Sequence, residues 1–421
     1  MPALKGKRFY DRLFTPRVTL WQLLFQRFHP DHTLDAALSD ARAGGGLTQN
    51  SPASWFPTQP PPAAMPASGS RRSFWPLQGR QITKLSSATR WHGRVNTLLD
   101  GSTVRLRPYG RMAKEFPPQR NQHQQPYWCL VRVVVSFCAR SGAALDCALG
   151  SMRVSEQVLA GQIILATTAQ SLFMEDRNFG VFRIAQAARQ AGQAVLLRLT
   201  DARARKLLGR ALRPGDHPVH WSPTRQDQLP PEASREPVTG RLLVVQLHRK
   251  GFRSQRLCLF TTLPDTTDFA LPELVRLYGQ RWPIELNLRY LKAQMDLAQL
   301  EAKSPDQARK EWLAGWLAYN LIRAAQLCAA LHKGIAPLTL SFSAVRRRLE
   351  DWLRQFGRTP RQARARWTTA LIQMGRCRLP RRRKPRPNEP RAQRHLRLPY
   401  APLYGSRATA RKHLNKYASK S

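Results

Sequence analysis

From about residue 95 to residue 200 the chain alternates two kinds of apolar text. Val95–Leu99, Leu130–Phe137, Ala143–Ala148, Ser171–Met174 and Ala194–Leu199 are short runs rich in β-branched and aromatic residues, and they read as strands. Val154 to Leu165 and Val181 to Gln190 carry apolar residues every three to four positions, the period of an amphipathic helix. Strands alternating with helices predict an α/β domain built on a mixed sheet. That rhythm breaks after residue 202. Arg241–His248 and Gln255–Thr262 flank Lys250-Gly251, a hairpin signal, so 205–265 reads as a β-rich insertion. Ser304-Pro305 then opens a long helix, Asp306–His332, whose Trp312, Trp316, Leu317 and Leu321 give it a buried side.

The flanks are of another kind. Thr15-Pro16 starts a helix carrying Val18, Trp21, Leu24, Phe25 and Phe28 on one face, and 1–49 reads as a small helical region. Residues 50–91 are crowded with Pro, Ser, Gln and Ala and read as a linker. The last stretch, 346–421, is basic, with Arg381-Arg382-Arg383-Lys384 inside proline-rich text. Between the flanks, 92–345 is the expected α/β domain.

Charge narrows the function. The chain holds 69 Lys+Arg against 26 Asp+Glu, a formal net charge of +43. Such an excess calls for a polyanionic partner, with nucleic acid ahead of an anionic membrane surface. No uncharged apolar run is long enough to span a bilayer, and no secretory signal opens the chain. The six cysteines are scattered without a Cys-x-x-Cys pair, which points to reduced thiols rather than zinc.

In a chain so poor in acids, each carboxylate is informative. Tyr278, Arg281, Glu285 and Lys292, placed on a continuous helix at about 100° per residue, fall at about 0°, 300°, 340° and 320°, one stripe roughly 60° wide. A carboxylate among a guanidinium, an ammonium and a phenol can hold a metal ion beside a phosphodiester; a solvated ion-pair face reads the same way. Pro283 interrupts the geometry, because it cannot donate to the carbonyl of Gly279. The helix either starts near Pro283 or kinks there, and in the first case Tyr278 and Arg281 precede it. Two further acids, Asp100 and Asp176, each end an apolar strand in this reading. Alone, Asp100 would begin an Asp-Gly turn and Asp176 would cap a helix. Together with Glu285 they can supply a two-metal site.

Leu99-Asp100-Gly101-Ser102-Thr103, Asp176-Arg177-Asn178-Phe179-Gly180 and the Tyr278, Arg281, Glu285, Lys292 spacing resemble the DDE transposases of the insertion-sequence-four family. The likeness extends over about 92–405 and includes Ala318-Tyr319-Asn320-Leu321-Ile322-Arg323. The resemblance implies an RNase H-like mixed sheet flanked by helices, with the β-rich insertion before the glutamate helix. It implies Mg²⁺, with Mn²⁺ as a substitute, held by the catalytic acids Asp100, Asp176 and Glu285. It gives Tyr278, Arg281 and Lys292 to the phosphates of double-stranded DNA, at transposon ends and target, with a homodimer gripping two ends in the bacterial cytoplasm, at the nucleoid. Some relatives stack a tryptophan of the insertion on a flipped base; Trp221 lies in this insertion, where a packed role competes. The expected activity is cleavage at terminal inverted repeats and strand transfer. A non-catalytic DNA-binding remnant and a nuclease without strand transfer are the alternatives. Two departures stand out. Asn178 replaces a usual glycine, and the proline-rich 50–90 stands where relatives carry an Arg- and Ala-rich helix.

Overall fold

The computed structural model describes residues 24–28, 82, 90–118, 128–227, 229, 234–247, 255–281, 283–354, 360–380 and 408–409. Ten strands form one sheet. In chain order they are β1 Arg90–Trp91, β2 Arg94–Leu106, β3 Cys129–Cys138, β4 Ala144–Ser151, β5 Ser171–Glu175, β6 Ala194–Leu199, β7 Gly215–Trp221, β8 Val238–Leu247, β9 Gln255–Thr261 and β10 Gln299–Leu300. The main path runs β4-β3-β2-β5-β6-β9-β8-β7, with β1 and β10 also on β2. β2, β3 and β4 are antiparallel, whereas β5 and β6 run parallel to β2. This is the RNase H-like order. The strands β7 to β9 of the insertion prolong the same sheet, since β9 pairs antiparallel with β6.

The helices are α1 Met112–Glu115, α2 Glu156–Ala166, α3 Phe182–Gln190, α4 Asp201–Leu208, α5 Leu271–Gly279, α6 Pro283–Arg289, α7 Pro305–Lys333, α8 Phe342–Arg354 and α9 Pro360–Arg376. A π-turn, Tyr290–Gln294, continues α6. The two-residue period of β2 and β3 divides them between the faces of the sheet. Leu98, Val104, Val133 and Val135 join one core with Ile284, Leu288, Leu291, Trp312 and Trp316, from α6, the π-turn and α7. Leu99 and Val134 join the opposite core with Ile163, Ile164, Phe182 and Ala185, from α2 and α3. Burial on both faces explains why Val131–Phe137 is nearly continuous apolar text.

The expected elements recur with shifts of one to three residues, apart from β2. That strand does not end at Asp100; it runs on to Leu106, because β3 supplies a registered partner for every residue from Thr97 to Leu106. A ten-residue ladder outweighs the local turn preference of Asp-Gly. Pro283 starts a new helix, so Tyr278 belongs to α5 and Arg281 to the turn between helices. Residues 24–28 are helical as expected. The linker text around 50–80, the Lys250-Gly251 turn and the Arg381–Lys384 cluster lie outside the described residues. All six cysteines are free thiols. Among the described residues, no helix is long and apolar enough to cross a membrane.

Candidate active site

Two parallel strands part company at the centre of the sheet. β2 and β5 pair from Val95↔Ser171 to Thr97↔Phe173, and the ladder stops there. Continuing that register by three residues sets Asp100 opposite Asp176. Where the backbone acceptor is lost, the buried Glu175 side chain replaces it: the Leu99 amide donates to its two oxygens at 3.0 and 3.1 Å. Burial holds the Glu175 carboxyl well above its ordinary pKa, against the Leu99 hydrogen bond, and Asp176 and Asp100 add repulsion.

Asp100 sits in the same field. Its Oδ1 accepts the Gly101 amide at 2.9 Å. Burial, with the negative charges of Asp176 and Glu156, pushes its carboxyl up from 3.8 to about 6, opposed by the Gly101 hydrogen bond and by Arg281. Asp176 follows β5 and closes a turn, its Oδ1 accepting the Asn178 amide at 2.8 Å. The three-residue loop back to Asn178 is thus an Asx-type turn that fixes one carboxylate oxygen.

A further acid is at hand. Ser155 caps α2, accepting from Val158, and Glu156 is the first helical residue. Its carboxyl lies against Gly101 so closely that a Cβ there would come within 2.4 Å of Glu156 Cδ. Asn178 Nδ2 donates to Glu156 Oε2 at 2.6 Å, and Gln157 Nε2 donates to the Asn178 carbonyl and Oδ1 at 3.0 and 2.9 Å. The residue that departs from the usual glycine therefore ties the Asp176 loop to α2. Sequence reasoning missed Glu156 and Glu175. In sequence the first is an ordinary helix-start acid and the second only the neighbour of Asp176 at the strand end.

The four helix residues do not form one stripe. Tyr278 is buried at the end of α5. Its hydroxyl donates to the Glu175 carbonyl at 3.2 Å, and burial pushes it up to about 12. That hydroxyl serves the strand end that carries Asp176, where an outward phosphate contact was expected. Arg281, in the turn, is close enough for its charge to act on Asp100, Glu175 and Tyr278. Ser102 shares the Asp100 face of β2, and Lys292 Nζ donates to its Oγ at 3.0 Å. Glu285 occupies the first turn of α6, exposed, on a helix packed against β2 and β3. Among the described residues, no three of His, Cys, Asp and Glu stand close enough together to hold a metal ion. The site thus brings together Asp100, Asp176, Arg281 and, through Ser102, Lys292, with the helix that carries Glu285 packed on the same strand.

Trp221 is elsewhere. It is buried at the end of β7, with its ring 4.9 Å from Phe260 and 6.1 Å from Phe182, both edge-on. The ring is packed against other aromatics, the role that competes with base stacking at Trp221.

The donor set fits a hard divalent cation in part. Asp100 and Asp176 offer oxygen ligands. The raised Asp100 pKa reports burial first, with Asp176 and Glu156 adding repulsion that Arg281 opposes.

The model of the family described as "Transposase DDE domain" matches residues 91–321, over half of the chain. The chain belongs to the DDE transposase family. Over 261 residues this DDE transposase chain is 31% identical to the transposase InsG for insertion sequence element IS4 of Escherichia coli strain K12. The match covers 60% of this chain and 57% of that protein. The chain thus spans less than two thirds of the length of that relative. A solved piggyBac transposase synaptic complex with hairpin DNA aligns over 88% of this chain and 80% of its own, at 10% identity and a TM-score of 0.42. The likeness is too distant to bear on the fold, which rests on the strand order.

Proposed function

We propose that this chain is the transposase of a bacterial insertion sequence. In this reading it cuts double-stranded DNA at terminal inverted repeats and joins the freed ends to target DNA, working as a homodimer at the nucleoid. One observation carries the reading: in a member of this family, Asp100 and Asp176 meet where β2 and β5 part, and the helix bearing Glu285 lies against β2. Asp100 and Asp176 would hold Mg²⁺, or Mn²⁺ in its place, and Glu285 would complete the set from the first turn of α6. Bound there, the cation supplies Lewis acidity to the scissile phosphodiester and lowers the pKa of the attacking hydroxyl.

The chain's own groups have separate tasks. Arg281, freed from offsetting Asp100, grips phosphate with a planar fork. Lys292 exchanges the Ser102 hydroxyl for a phosphate oxygen. Tyr278 holds the Glu175 carbonyl and so the strand end that carries Asp176. Glu175 accepts the Leu99 amide and so ties β2 to the end of β5.

That no three acids among the described residues stand close enough to hold a metal favours one other reading, a remnant that binds DNA without cutting it. Incubating the purified protein with DNA bearing its own element's ends, with Mg²⁺, Mn²⁺ or EDTA, tests both. Metal-dependent cutting with joining supports the transposase. Binding without cutting supports the remnant, and cutting without joining points to a nuclease.

A further inference from the structure

Arg323 sits on α7 with 2% of its surface exposed, yet among the described residues its partners are all neutral. Nε donates to the Tyr319 hydroxyl at 2.9 Å, Nη1 to Gln326 Oε1 at 2.7 Å and Nη2 to Asn287 Oδ1 at 2.5 Å. Its guanidinium carbon lies 4.8, 5.2 and 5.4 Å from the ring centres of Phe342, Tyr319 and Tyr290. Room for it is made by Gly142, in the β3–β4 turn at φ +71°, where a Cβ would fall 2.7 Å from Arg323 Cζ. Tyr319 donates to the Gly142 carbonyl at 2.6 Å, and Asn320 exchanges two 2.9 Å bonds with the Ala144 backbone. The platform under Arg323 is therefore fixed to the sheet.

A buried cation is expensive unless every donor is met. Here the need is met by oxygens and π faces, a set that a planar fork satisfies and an ammonium does not. The same fork spans two elements. Asn287 lies in α6 two residues past Glu285, and among the described residues its Nδ2 has no partner, so its carboxamide serves Arg323. Tyr290 opens the π-turn two residues before Lys292 and stacks on Phe342 at 4.5 Å and 9°. α6 has only seven residues, too few to hold itself by backbone bonds. Two residues on a helix point about 200° apart, so anchoring Asn287 inward turns Glu285 outward, toward the open side of the site.

We infer that Arg323 is a positioning residue that sets the rotation of α6, and with it the aim of Glu285 and Lys292, through Asn287 and Tyr290. The effect on cleavage rests on the transposase reading; the anchoring of α6 does not. The test uses the full-length protein with Asn287→Leu, Asn287→Asp and Arg323→Lys. Asn287→Leu removes the acceptor at similar size, Asn287→Asp keeps it, and Arg323→Lys keeps the charge without the fork. Asn287→Leu and Arg323→Lys are expected to speed hydrogen exchange over 283–294 about tenfold or more while β2, β3 and β5 stay protected, and Asn287→Asp to stay near wild type. Cleavage of end DNA at saturation is expected to fall about a hundredfold in Asn287→Leu, with end binding within threefold of wild type and Asn287→Asp restoring the rate.

Unchanged exchange over 283–294 in Asn287→Leu overturns the inference, as does equal loss in Asn287→Asp. Where Asn287→Leu does not fold, Arg323→Lys is read in its place; failure of both to fold also overturns it, because the residue then serves the whole core. A wild-type protein that cuts no DNA sinks the transposase reading, and the exchange data still decide the anchor.

Discussion

Two charged centres lie on this sheet, and they are built on opposite terms. At the parting of β2 and β5, Asp100, Glu175, Asp176 and Glu156 gather with Arg281 as the cation acting on them, and Asp100 and Glu175 are pushed up in pKa. Beneath α6, a single guanidinium is met on every side by neutral oxygens and ring faces. The second centre is electrostatically finished, and nothing need be added to it. The first sets several acids, two of them held out of water by burial, beside one arginine, a balance that a bound cation would redress in the transposase reading. The difference teaches that a buried charge is not a mark of function by itself; the unsatisfied balance is.

Substitutions can break that contrast or sharpen it. The largest expected effect falls on cleavage. Asp100→Ala, Asp176→Ala and Glu285→Ala should each lower the rate by at least about a thousandfold, measured on end DNA with Mg²⁺, while leaving end binding in place. Full activity in Glu285→Ala would place the third ligand elsewhere, with Glu156, which lies against Gly101, a candidate. Next comes stability at the finished centre. Arg323→Ala should cost on the order of 3–5 kcal/mol in denaturant unfolding, because it strands three acceptors and opens a void.

The unfinished centre should respond with the reverse sign. Asp100 titrates near 3.8 unfolded and about 6 folded, so between those values the native state binds the extra proton. Its burial therefore costs nothing below about pH 4, and the penalty grows as pH rises through about 6. Asp100→Asn should stabilise the metal-free protein by about 2 kcal/mol at pH 8 and by nothing at pH 3.5. Unfolding curves across that range check it, and an equal gain at both pH values would refute the field described here. The smallest effect is at Asn178. Asn178→Ala removes the donor to Glu156 and should cost about 1 kcal/mol, read in the same unfolding assay.

Much of this was legible in the text of the chain, for physical reasons. Val131–Phe137 and Ala194–Leu199 are apolar on both sides, and only a central strand uses such text. Ser304-Pro305 begins its helix because both residues suit a first turn, with Ser304 accepting from Gln307. Pro283 forced a break, and the break is why Tyr278 ended up holding the Glu175 carbonyl on its own helix. The continuation of β2 was hidden, because Asp-Gly-Ser-Thr is turn text until a neighbouring strand claims it. Glu156 was hidden for the opposite reason: a serine followed by an acid explains itself locally as a helix start. The π-turn and the Arg323 hub depend on packing between segments far apart in sequence, and local pattern holds no record of them.

The contact between Lys292 and Ser102 has a consequence of its own. A hydroxyl is an undemanding tenant of an ammonium, and eviction by an arriving phosphate breaks no ion pair. In the transposase reading the lysine is therefore a latch that an arriving strand would lift, undoing one tie between the glutamate-bearing segment and β2.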